Sequence, residues 1–175
     1  LWIIVTIIIV YIGIKYSAKH SNKTKLLYFE NSCISLFKSV VKELDNLEIR
    51  YKGDMVNENL IIYKGTFFNS GNIDIDKNLI HKPIKVVLPE KYNWKKIKII
   101  DKSDDININL DNGPNELEFS WDILKENEYF TFDSVIEYNP DTDDEESFEL
   151  SQFNISRNLS KNISFDQRIT NLKSI

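Results

Sequence analysis

The chain of 175 residues contains one cysteine, one methionine, two histidines, five glycines and four prolines. With Cys33 alone, no intrachain disulfide forms and a zinc site built on several thiolates is excluded. His20 and His81 have no Cys or Glu at ligand spacing, so each reads as a surface or packed histidine rather than a metal ligand. Five scattered glycines make no phosphate-cradling loop, and no Gly-x-Ser-x-Gly elbow presents a nucleophile. The sequence therefore predicts a non-enzymatic protein without cofactor or metal.

Acidic residues are lacking at the start. Residues 1–25 hold Lys15, Lys19, Lys23 and Lys25 and no Asp or Glu, which leaves the remainder with 18 basic and 27 acidic residues. That remainder has a net charge of −9. No basic stripe able to neutralise several phosphates is visible, which argues against a nucleic-acid partner.

Uninterrupted apolar sequence occurs in one place, from Leu1 to Ile14. The expectation is a transmembrane helix over 1–16, continuing upstream of Leu1, with a buried core helix as the alternative. Residues 17–25 then form a basic juxtamembrane linker. Lysines after an uncharged run place the following domain on the cytoplasmic side.

What the chain has in plenty is β-type alternation. Glu58–Gly71 is the longest such run, with Lys64 and Thr66 facing outward and Tyr63, Gly65 and Phe67 inward. Gly65 between two rings leaves room for a large side chain from a facing sheet, for which Trp121 is the candidate. Asn69-Ser70-Gly71 reads as a turn in which glycine supplies positive φ. Leu26–Asn31 predicts a strand and Leu36–Glu43 a short helical or irregular segment. Leu47–Tyr51 alternates cleanly. Pro83–Pro89 reads as a strand closed by prolines at both ends, as at a sheet edge or a strand terminus. Ile97 and Ile99, then Ile106, Ile108 and Leu110, then Leu117, Phe119 and Trp121, then Phe130, Phe132 and Ile136 each alternate with polar residues. Short strands about 8–12 residues apart signal an antiparallel sandwich or barrel. The domain is assigned to residues 26–157, with a possible last strand at Phe148–Ile155 and a flexible tail over 158–175.

Several of these signals together resemble a known architecture. Leu47-Glu48-Ile49-x-Tyr51-x-Gly53, Asn59-Leu60, Asn69-Ser70-Gly71-Asn72-x-x-Ile75, Lys82-Pro83-Ile84 and the Leu124–Tyr138 region resemble a widespread group of uncharacterised bacterial membrane-anchored proteins. Those proteins carry an immunoglobulin-like β-sandwich. The resemblance spans Leu26–Ile155 and implies an all-β, immunoglobulin-like antiparallel sandwich after the membrane helix. It implies no catalytic residues.

Two features bear on partners. Asp101–Asp105 and Asp141–Glu146 gather carboxylates, but neither has the spacing or glycine of an EF-hand, so both read as solvated acidic loops. Tyr92, Trp94, Lys95 and Lys96 form a possible interaction patch, with core packing the competing reading for Trp94. The lipid bilayer, through 1–16, and a protein are the expected partners. The expected role is a membrane-tethered interaction module. The alternative is the sensing or regulatory domain of a bacterial membrane signalling or defence system.

Overall fold

The structure is a computed structural model and describes residues 6–12, 15, 23–35, 50–51, 54–55, 60–139 and 156–169. Two four-stranded antiparallel sheets dominate it. In the first, β1 (Leu26–Ser35), β4 (Leu60–Asn69), β11 (Tyr129–Tyr138) and β7 (Tyr92–Lys102) lie side by side in that order. In the second the order is β12 (Ser164–Ile169), β6 (Ile80–Val87), β9 (Glu116–Trp121) and β8 (Ile108–Asn112). Two-residue strands make two small pairs, β2 (Arg50–Tyr51) with β3 (Asp54–Met55) and β5 (Ile75–Asp76) with β10 (Ile123–Leu124). The all-β expectation is met.

β4 organises the first sheet because its alternation is nearly unbroken. Ile61, Tyr63, Gly65, Phe67 and Asn69 are buried, while Ile62, Lys64, Thr66 and Phe68 are half-exposed. Successive side chains of a strand point to opposite faces, so one register fixes both faces at once. Phe67 meets Phe130 of β11 at 5.2 Å between ring centroids and Phe119 of β9 at 5.5 Å, which joins the sheets through one aromatic core. Phe119 also lies 5.0 Å from Phe132. Tilted and edge-on ring pairs at such distances contribute about 0.5–1.5 kcal/mol beyond the area they bury.

A constant-type immunoglobulin sheet takes the first, second, fifth and fourth strands. Counting the eight longer strands among the described residues, the first sheet here takes the first, second, seventh and fourth.

Four local expectations are corrected. Trp121 is buried as expected, yet it lies against Phe130 at 5.6 Å and donates from Nε1 to the Ile75 carbonyl at 2.9 Å. The ring over Gly65 is Tyr28, from the neighbouring strand of the same sheet, whose Oη stands 2.2 Å from where a Cβ would be. Gly71 does not adopt a left-handed backbone; glycine is needed there for approach, since a Cβ would fall 2.3 Å from the Lys23 carbonyl oxygen and 2.7 Å from the Lys25 nitrogen. Buried Asn69 ties the same corner, donating from Nδ2 to the carbonyls of Ile73 and Leu124 and accepting at Oδ1 from the Gly71 amide.

Third, Pro83 sits inside β6, an interior strand. It takes part in neither ladder: pairing with β9 begins at Ile84, and the pairing with β12 shifts register between Lys85 and Lys82. A bulge accommodates the missing amide without an edge position. Fourth, residues 158–169 are not a tail. A helix, α2 (156–162), buries Leu159 completely, and β12 follows with Ile169 buried.

Residues 6–12 form a helix, α1, and residue 15 is also helical. Its side chains from Ile7 to Ile12 are 52% to 65% exposed. Among the described residues no helix is long and apolar enough to cross a membrane. The remainder of the expected span, the segment Leu36–Glu43, the acidic run Asp141–Glu146 and the strand Phe148–Ile155 lie outside the described residues.

Candidate interaction surfaces

β1 and β12 end their sheets on one side of the core, and side chains span the gap between them. Tyr28 lies 4.6 Å from Phe165 and 4.9 Å from Phe67, ring centre to ring centre. Its Oη is 2.5 Å from Tyr63 Oη, and Tyr63 is buried. Cys33 donates from Sγ to the Ser156 carbonyl at 3.3 Å, and Ser160 Oγ donates to Glu30 at 2.8 Å, so α2 is fastened to β1 by polar contacts.

This side holds groups that resist ionisation. Burial pushes the Tyr28 and Tyr63 phenols above their ordinary range; Tyr63's proximity and hydrogen bond raise Tyr28 further. Burial, with Glu30 nearby, pushes the Cys33 thiol up to about 12. A thiol held protonated is a poor nucleophile. The arrangement packs and closes; it does not activate.

The opposite side is formed by β7 and β8. Tyr92 and Trp94 are 3% and 5% exposed, so the aromatic half of the expected patch belongs to the core. Trp94 stands edge-on to Tyr63 at 6.3 Å, and Tyr92 lies 4.9 Å from Tyr138. Trp94 Nε1 has no hydrogen-bond partner among the described residues. Lys95 and Lys96 are exposed, and Lys95 pairs with Glu137 at 2.7 Å. The structure therefore separates the four residues that the sequence grouped.

What sequence reasoning missed lies further along β7. Ile99, Ile100, Asp101 and Lys102 line a groove of about 380 Å³ together with Ile108 of β8. Lys98 pairs with Asp133 at 3.4 Å, and Lys102 Nζ donates to the Ile106 carbonyl. The signal for this surface is four lysines, Lys95, Lys96, Lys98 and Lys102, on one strand with the adjacent Ile99 and Ile100.

The carboxylates of Asp101–Asp105 are spread over separate partners. Asp101 accepts from Tyr129 Oη at 3.1 Å, and Asp105 lies 3.7 Å from Lys125 Nζ. Among the described residues no three His, Cys, Asp or Glu side chains are placed to hold a metal ion. His81 is exposed on β6; His20 and Asp141–Glu146 lie outside the described residues.

Comparison of the chain with protein-family models finds no match, and comparison with curated proteins finds none.

Proposed function

We propose that this protein is a membrane-tethered, non-enzymatic interaction module. Its domain is read as an antiparallel β-sandwich, immunoglobulin-like in its layering, with a strand order of its own. The observation that carries the tether is α1: Ile7, Ile8, Ile9, Val10, Tyr11 and Ile12 are consecutive, apolar and all more than half exposed. Consecutive helical residues point around the whole circumference, and a helix apolar all round belongs in a bilayer or a protein core. The β-core does not cover it. At about 25 cal/mol per Å² of apolar surface, leaving such a helix in water is strongly unfavourable, and lipid offers cover without a protein partner.

Lys15, Lys19, Lys23 and Lys25 follow the apolar run and suit the cytoplasmic headgroup layer, so the β-domain is assigned to that side. Its net charge of −9 repels an anionic bilayer surface, which keeps the domain free for a partner rather than flat on the lipid. The interaction reading draws on the exposed basic strand and groove of the β7–β8 side.

Flotation with lipid vesicles tests the tether. The full chain, reconstituted from detergent, should float with vesicles at low and high salt alike, and a form lacking residues 1–25 should stay at the bottom. Flotation of the truncated form, or release of the full chain by salt, contradicts the proposal.

A further inference from the structure

We propose that the outer edge of β7 is a docking site for an extended acidic segment of a protein partner, which adds to the first sheet as a fifth strand; this rests on the interaction reading above. β7 is the end strand of its sheet and pairs on its inner side with β11. On its outer side Trp94 N donates to the Pro114 carbonyl at 2.7 Å. From Lys95 to Lys102 the outer edge has no further backbone partner among the described residues. Between register shifts at Lys95 and Ile100, that edge presents amides and carbonyls at strand spacing from Lys96 to Ile99, the template that strand-addition ligands use.

Charge selects the occupant. β7 carries Lys95, Lys96, Lys98 and Lys102 against Asp101, in a domain that is otherwise acidic. Glu137 and Asp133 balance Lys95 and Lys98. Lys96 has no ion pair among the described residues, and Lys102 bonds to a carbonyl, which leaves its charge in place. Two positive charges without an ion pair among the described residues thus stand within about 20 Å of each other along the edge, at roughly 3.3 Å per residue, on opposite faces of the sheet because Lys96 pairs with Val135 and Lys102 with Phe130. Between and beside them, Ile99, Ile100 and Ile108 offer an apolar floor. An incoming strand with one carboxylate on the face of Lys96, another on the face of Lys102 and an apolar side chain towards Ile100 satisfies all three. A second copy of this chain does not, because pairing β7 with itself sets lysines against lysines.

Lysines on an edge strand also serve to keep other strands away. An experiment separates the two roles. The full chain, isotopically labelled in detergent micelles, is titrated with a short peptide that repeats Glu-Glu-Val-Val, which sets carboxylates on both faces of a strand, and with its Lys-Lys-Val-Val counterpart as control. The proposal predicts slowed amide exchange confined to Lys95–Lys102 with the acidic peptide and none with the basic one. Lys96→Glu combined with Lys102→Glu should weaken binding about tenfold or more, as loss of two charge pairs implies. Absence of binding overturns the proposal and leaves the lysines as a guard against pairing. Protection elsewhere on the domain overturns the β7 site while leaving an interaction module. Neither result bears on vesicle flotation, so the tether stands or falls separately.

Discussion

On the β1–β12 side, Tyr28 packs at a tilt against Phe165, shares a hydrogen bond with Tyr63, and belongs to a strand fastened at Cys33 and Glu30 to a helix whose Leu159 is fully buried. On the β7–β8 side, Ile99, Ile100 and Ile108 border an open groove that Asp101 and Lys102 also line, on a strand carrying four lysines. Each side faces the same physical problem, since an end strand has unpaired backbone groups and a half-covered apolar face. On the first side α2 and β12 lie against Cys33 and Tyr28, while Phe29 and Ile34 of β1 stay 49% and 58% exposed; on the other, charge guards the edge. Both are recognised ways of managing a sheet edge. A covered edge contributes to stability, whereas a charged open one contributes little and stays available to a partner.

The strongest way to break the closed side is to displace Tyr28. Gly65→Val would put a Cβ 2.2 Å from Tyr28 Oη and 2.7 Å from its Cζ. The ring is held between Phe67 and Phe165, so it cannot swing aside without losing those contacts and the bond to Tyr63. Overpacking of this kind costs about 1–3 kcal/mol, more than the gain in strand propensity from valine. Thr66→Val is a poor outward control, because the Thr66 hydroxyl contacts both Asn31 and the buried Thr131. Lys64→Val, on the same outward face, should change stability by no more than about 0.5 kcal/mol. Urea unfolding of both variants is the check.

A smaller effect comes from pH. The phenols of Tyr28 and Tyr63 are raised in the folded protein, so above about pH 10 the unfolded chain gives up protons that the folded chain keeps. Their contribution is fully present below about pH 10 and is lost as pH rises through the raised values, with a limiting slope of about 1.4 kcal/mol per pH unit for each retained proton. Cys33 acts with the same sign, from its ordinary value up to about 12. Tyr28→Phe should cost about 1–2 kcal/mol at neutral pH, because Tyr63 keeps a buried hydroxyl with its partner gone. It should also flatten the alkaline decline. Thermal melts between pH 8 and about 11 test both statements.

Much of the closed side's framework was legible in the sequence, because a strand's period of two is hard to disguise. Tyr63, Gly65 and Phe67 fell on the buried face of β4, and Leu117, Phe119 and Trp121 on that of β9. The identity of the ring over Gly65 was not legible. Trp121 and Tyr28 are both large and inward-facing, and only the register of β1 on β4 decides between them.

Trp94 shows how a bulge hides a face. Ile97 and Ile99 set an inward phase that, carried back unbroken, turns Trp94 outward. The register shifts at Lys95, however, and Tyr92 and Trp94 regain the core. Two successive lysines mask the extra residue.

β12 escaped notice for a different reason. It carries only Phe165 and Ile169 as apolar residues, between which the pairing with β6 shifts register twice. Its anchor, Leu159, is a lone leucine in a polar stretch.

The central contrast, a covered side against an open one, is tested most directly by paired truncations. Leu159→Ala and Ile100→Ala each remove a branched aliphatic side chain, one from the closed side and one from the open groove. Unfolded with urea under identical conditions, Leu159→Ala should lose about 2–5 kcal/mol, as fully buried leucines do. Ile100→Ala should lose well under about 1 kcal/mol. Equal losses, or a larger loss for Ile100→Ala, would contradict the account.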